Sequence, residues 1–194
     1  MTGLTIEELA VGDTAVLTRA VTAEGIREFV GATGDDNPLH SDAAFAATTR
    51  FGEVIAPGML TGGLLSAVIG TRLPGPGTVY LSQSFRFLRP VCAGDAVSAR
   101  VEVSEIIREK NRVGLRTTCL NQKNEVVLEG EAWVMPPQAH VEYAEAADAR
   151  SGLSALPWAP ATCVVQLMSF WVANTMALAA HAVTLCRPDR LRPS

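Results

Sequence analysis

The sequence predicts an α+β domain in which one long antiparallel sheet curls around a single apolar helix. Three observations lead there. Residues 55–70 are apolar on nearly every side and carry a proline, Pro57, near their start; a helix of that composition has no polar face and must be wrapped by other elements. Four long runs rich in Val, Thr, Leu and aromatics follow, at 79–87, 96–107, 112–121 and 125–134, and these have the composition of strands. The turns between the last three runs, Glu109-Lys110-Asn111 and Gln122-Lys123-Asn124, are short and polar, so those strands form an antiparallel meander.

Each element has a local reason. Ala15-Val16-Leu17-Thr18 suits a short strand, and Thr22 can cap a helix whose apolar positions Ile26, Phe29 and Val30 recur at three- and four-residue intervals. That pattern ends at Val30-Gly31-Ala32-Thr33-Gly34, and the Asn37-Pro38 step starts a turn, because the residue before a proline is pushed out of the helical region. Ser41-Asp42 caps a second short helix through Ala47, before a coil at Phe51-Gly52-Glu53. In the third long run Val113, Leu115, Thr117 and Cys119 form one face and Arg112, Gly114, Arg116 and Thr118 the other, which suits a sheet packed on one side. Long antiparallel strands curled around a buried helix make a hot-dog-like architecture. No internal repeat or low-complexity tract competes with it.

The totals narrow the function. A chain of 194 residues holds one ordinary domain plus an appendage. Sixteen basic against twenty acidic side chains, with no basic block, disfavour nucleic-acid binding. The N-terminal residues lack a cationic start followed by an apolar run, so no secretory signal is expected and the cytoplasm is the default location. Cys92, Cys119, Cys163 and Cys186 are far apart, without metal-ligand or disulfide-framework spacing, and read as reduced small hydrophobes. The Pro136-Pro137 pair marks a boundary: residues 1–137 form the domain, 138–160 an Ala/Glu/Asp- and Pro-containing connector, and 161–186 an uncharged apolar helix. That last segment is long enough to cross a bilayer and is followed by Arg187, Arg190 and Arg192. A stripe of small and polar residues, among them Ser169, Ala173, Asn174 and Ala177, favours packing on the domain or a dimer mate over membrane anchoring. A poorly ordered or non-native terminus is the remaining alternative.

The chemistry-bearing segment is Gly34-Asp35-Asp36-Asn37-Pro38-Leu39-His40. A carboxylate and an imidazole on one short turn can share a water molecule, one removing a proton while the other positions or returns it. Asp, Asn and Pro are also ordinary turn formers, so composition alone leaves a merely structural loop open.

Three stretches together resemble the MaoC-like, or (R)-specific enoyl-CoA hydratase (hydratase 2), family: Thr33 to His40, the helix start Ile55-Ala56-Pro57-Gly58-Met59-Leu60, and the strand from Tyr80 to Phe87. Their order and spacing cover roughly residues 10 to 135. The resemblance implies a hot-dog fold and addition of water to a trans-2-enoyl thioester, giving the (R)-3-hydroxyacyl product, or the reverse dehydration. It implies that Asp35 and His40 hold and activate the water, that Asn37 fixes the loop or the water, and that the Gly58 N–H at the helix start stabilises the thioester oxygen. The resemblance also suggests that Ser66, Ile69 and Val134 line the acyl pocket, with plain core packing as the alternative, since apolar residues at helical spacing are commonly core. Many relatives carry histidine where this chain has Pro57, yet the N–H of residue 58 remains. The implied partner is a CoA-linked substrate, handled without metal or redox cofactor, in a homodimer. A dehydratase of acyl-carrier-protein-linked substrates and a non-catalytic acyl-thioester-binding subunit are the alternatives.

Overall fold

The computed structural model of the protein describes residues 1–144. The apolar segment 161–186, and the connector beyond Ala144, lie outside the described residues. Within them the elements run β1 (Thr2–Gly3), β2 (Thr14–Ala20), α1 (Ala23–Thr33), α2 (Ala43–Ala47), α3 (Gly58–Thr71), β3 (Val79–Phe87), β4 (Ala96–Ile107), β5 (Arg112–Leu120), β6 (Val126–Met135) and β7 (Val141–Glu142). Strands β2 to β6 form one antiparallel sheet in the order β2-β4-β5-β6-β3, and β4-β5-β6 is the expected meander.

The sequence-derived strand ends fall within a residue or two of these. The connections close on backbone geometry that polar residues tolerate: Asn111 and Asn124 both adopt positive φ, at 48° and 60°, a conformation Asn reaches more readily than most side chains. Register shifts interrupt the ladders between Tyr80 and Ser82, between Val103 and Glu105, and between Cys119 and Leu120. Such bulges increase local twist and help the sheet curl.

One side of the curled sheet packs on α3. Val113, Leu115, Thr117 and Cys119 are fully buried, as are Val97, Val101 and Val103 of β4, and all but Thr117 join Leu65, Val68 and Ile69 of the helix in a single core. At about 25 cal/mol per Å² of apolar surface, each such Val or Leu contributes roughly 1.5–3 kcal/mol toward holding helix and sheet together. The sheet does not wrap α3 all round. Met59, Gly63, Ser66 and Gly70 are exposed; they recur at three- and four-residue intervals and so form one face. The described residues therefore cover only part of a helix whose sequence has no polar face.

Another difference lies at the domain's end. The sequence reading stops the domain at Pro137, but the chain continues past the proline pair so that Val141 and Glu142 pair with Gly3 and Thr2. Two-residue strands are too short to show a period, so pattern reading has nothing to detect there. No helix among the described residues is long and apolar enough to cross a membrane.

Candidate active site

Helix α1 delivers the chain to the site. Thr22 accepts a hydrogen bond from the Gly25 N–H at 3.0 Å, capping the start. At the far end Gly34 takes up φ 73°, and its N–H closes on the Val30 carbonyl. A glycine at this left-handed position ends the helix without the steric cost a Cβ would add. The chain then turns through a short 3-10 segment, Pro38–His40. Asn37 begins it, its side-chain oxygen accepting from the Leu39 N–H at 3.1 Å. Of the two roles expected for Asn37, this bond serves the fixing of the loop. Asp42 caps α2 by accepting from the N–H groups of Ala44 and Phe45, so both ends of the motif loop are anchored by capped helices.

The loop presents His40 to the interior. Its side chain is 9% exposed, whereas that of Asp35 is 44% exposed, and Nε2 stands 3.7 Å from Asp35 Oδ2. The other ring nitrogen, Nδ1, lies 2.8 Å from the Ile55 carbonyl oxygen. A carbonyl oxygen can only accept, so Nδ1 carries the hydrogen and the neutral ring keeps a lone pair on Nε2. The backbone of Ile55 is itself held: its N–H reaches the Leu39 carbonyl at 3.3 Å, and the next N–H, of Ala56, donates to the Val91 carbonyl at 2.7 Å. The tautomer of His40 is thus fixed by main chain running straight into α3. Asp36, next to Asp35, is exposed.

His40 and Gly58 line one cleft of about 230 Å³, together with Thr61, Phe87, Arg50 and Arg89 among others. Gly58 is the first residue of α3, after Pro57, where backbone N–H groups lack intrahelical acceptors and the helix dipole is positive. Close packing also calls for a glycine at this position. A Cβ there would stand 2.9 Å from Phe87 Cε1, so the missing side chain makes room for the Phe87 ring. Phe87 in turn meets Phe85 with ring centroids 5.8 Å apart. The two arginines differ in their surroundings. Arg89 is engaged, with Nε 3.5 Å from Glu125 Oε1 and Nη1 donating to the Val126 carbonyl. The Arg50 guanidinium lies over the Phe51 ring at 4.8 Å.

The structure brings together Asp35, His40 and Gly58 of the expected site, with Asn37 bracing the loop. It places Ser66, Ile69 and Val134 elsewhere: Ile69 and Val134 are buried in the core at 1% and 0% exposure, Ser66 is on the uncovered face of α3, and none is among the residues lining the cleft. Thr61 and Phe87 do line it, and sequence reasoning passed over both. The signal for Thr61 was its hydroxyl inside an otherwise apolar run; for Phe87 it was the end of a long strand.

Fold and site together define a hot-dog domain with an acid–imidazole pair beside a helix N-terminus. The MaoC like domain model matches residues 10–125. A 3-hydroxybutyryl-CoA dehydratase of Methylorubrum extorquens is 49% identical over 135 residues, covering 70% of this chain and 85% of the relative. An (R)-specific enoyl-CoA hydratase of Rhodospirillum rubrum is 46% identical over 131 residues, with 68% and 90% covered. Among solved structures, the unliganded R-hydratase PhaJ1 of Pseudomonas aeruginosa superposes with a TM-score of 0.69 at 46% identity, covering 76% of this chain and 96% of that one. The chain belongs to the MaoC-like dehydratase family.

Proposed function

We propose that the protein is a hydro-lyase that adds water to trans-2-enoyl-CoA with (R) stereochemistry and catalyses the reverse dehydration. The observation that carries this reading is the pair of acceptors facing each other, His40 Nε2 and Asp35 Oδ2, 3.7 Å apart. Neither atom has a hydrogen to offer the other when His40 is neutral and Asp35 ionised. A water between them donates one hydrogen to each and turns its own lone pair toward a substrate carbon. As the oxygen bonds to the β-carbon, His40 Nε2 takes the water's proton, and the π electrons move through the α-carbon onto the thioester oxygen. Delivery of a proton to the α-carbon then returns the pair to its starting state. Acid–base assistance of this kind contributes typically about a hundred- to ten-thousandfold.

The Gly58 N–H is the proposed donor to the thioester oxygen. It belongs to the backbone, so Pro57 in place of the histidine common among relatives leaves it intact. Arg50 and Arg89 suit a carrier that bears phosphate groups. For the acyl chain, the cleft's own apolar lining, Ile55, Phe87 and Val127, is a better assignment than Ile69 and Val134, whose side chains are already enclosed by the core.

The assembly is inferred from what the described residues leave open. Strand β3 is a sheet edge with Val79, Leu81 and Phe87 exposed, and Met59 on α3 is 55% exposed. An unpaired apolar edge beside an uncovered helix face favours a homodimer, in which Ser66 would face the partner. Incubation of the purified protein with crotonyl-CoA tests the activity. Loss of the enoyl-thioester absorbance with formation of (R)-3-hydroxybutyryl-CoA is expected. Release of free CoA thiol, or binding without turnover, contradicts the reading.

A further inference from the structure

We infer that Thr61 is a catalytic residue of this site, its hydroxyl donating a second hydrogen bond to the thioester oxygen beside the Gly58 N–H. The inference rests on the enoyl-thioester reading above and adds to it a side chain within the apolar helix. Thr61 is 3% exposed, yet it lines the same cleft as His40 and Gly58.

A threonine in a helix ordinarily satisfies its hydroxyl on the carbonyl three or four residues back. This chain does so repeatedly: Thr33 donates to Phe29, Thr48 to Phe45, Thr49 to Ala46 and Thr71 to Ala67, all between 2.7 and 2.8 Å. The Thr61 hydroxyl makes no such bond, and no other partner for it is found among the described residues. The second buried polar side chain of the domain, Thr117, has one, since Gln83 Nε2 donates to it at 3.1 Å. The sealed side-chain oxygen without a partner among the described residues is Thr78 Oγ1, not that of Thr61; lacking a protein acceptor, the Thr61 hydroxyl opens on the cleft, where a ligand atom or water can accept from it.

Direction supports the same partner. Thr61 lies three residues after Gly58, on the same side of the helix, and helical side chains lean toward the preceding turn. Its hydroxyl is therefore carried toward the helix end where the Gly58 N–H is located. The turn is tied to the sheet as well. Cys119 Sγ approaches the Thr61 carbonyl at 3.8 Å, and burial pushes that thiol up to about 12, so at neutral pH it remains protonated and able to donate. When water's oxygen bonds to the β-carbon and charge moves onto the thioester oxygen, Thr61 O–H and Gly58 N–H both donate to it. Neither gives up its proton, and no further reactant is needed.

The test compares Thr61→Val, which keeps the shape and removes the hydroxyl, with Thr61→Ser, which keeps the hydroxyl. On crotonyl-CoA, Thr61→Val should lower kcat about a hundredfold, the scale for losing one such donor, with KM little changed. Its melting temperature should stay near that of wild type, because no hydrogen bond within the protein has gone. Thr61→Ser should stay within a few-fold of wild type. The enolate absorbance of bound acetoacetyl-CoA, which reports stabilisation of the same oxygen, should fall in Thr61→Val and persist in Thr61→Ser. Wild-type kcat in Thr61→Val overturns the inference, as does an equal loss in Thr61→Ser or an enolate signal that ignores the hydroxyl. If wild-type protein does not hydrate crotonyl-CoA, it is the enoyl-thioester reading that fails.

Discussion

Two acid–imidazole pairs occur in the described part of this chain, and the closer one is not the candidate site. His140 Nδ1 lies 2.8 Å from Glu8 Oε1, both side chains about two-fifths exposed. His40 Nε2 and Asp35 Oδ2 are 3.7 Å apart, with the imidazole 9% exposed. Direct contact spends the acid on the ring and leaves no place for a reactant between them. At the longer separation, with Nδ1 held by the Ile55 carbonyl and the ring lining the cleft, the two acceptors need a third molecule to satisfy both. What distinguishes the candidate pair is an enforced tautomer and two unsatisfied acceptors, not proximity.

The largest expected effect separates the two histidines by function. His40→Gln should lower kcat by roughly a hundred- to ten-thousandfold, while His140→Gln leaves turnover of crotonyl-CoA unchanged. At Glu8 and His140 the loss of a solvent-exposed contact should move the chemical-denaturation midpoint little. Measurable loss of kcat in His140→Gln would break the comparison.

A smaller effect is expected at Gly58, where packing and chemistry coincide. Gly58→Ala places a Cβ against the Phe87 ring, and overpacking of this kind costs about 1 kcal/mol or somewhat more. Its kcat should fall less than that of His40→Gln, since the N–H is retained. Chemical denaturation of Gly58→Ala in a Phe87→Ala background should recover most of the lost stability. No recovery would mean that the ring is not what excludes the methyl group.

The smallest effect concerns the surface pair and its pH dependence. Bonds from the Thr5 N–H and hydroxyl, followed by smaller contributions from His140, hold the Glu8 carboxyl below its ordinary value of 4.5. A carboxyl depressed in the folded state contributes stability above its unfolded value and loses that contribution as pH falls through the folded one. Glu8→Gln should therefore lower stability slightly in the neutral range and converge on wild type as pH falls below about 4.5, which flattens the acid limb of the stability curve. Denaturation midpoints across that window measure it; an unaltered acid limb argues against the shift.

These contrasts also separate what was legible in the sequence from what was not. The caps at Thr22 and Asp42, the glycine stop at Gly34 and the period-two face of β5 are local signals, and each lies where the residues placed it. The motif loop was legible as a candidate site because Asp35, Asn37 and His40 are close in sequence. The pinning of His40 Nδ1 was not, since Ile55 lies fifteen positions away and its backbone carries no residue-specific sign. Apolar spacing indicated that Ile69 and Val134 are enclosed but not by what, and the structure encloses them in core. Thr61 was hidden for the same reason, as one hydroxyl in a run read as packing. The Glu8–His140 contact joins opposite ends of the domain and depends on the β1–β7 pairing, which no periodicity announces.

The central claim is that Asp35 and His40 act as one unit on one water. The direct measurement is kcat for crotonyl-CoA hydration by Asp35→Asn, His40→Gln and the double variant. Residues that act as a unit are strongly non-additive, so the double variant should be little slower than the slower single one. Losses that multiply fully in the double variant would contradict the claim and assign the two residues to separate tasks.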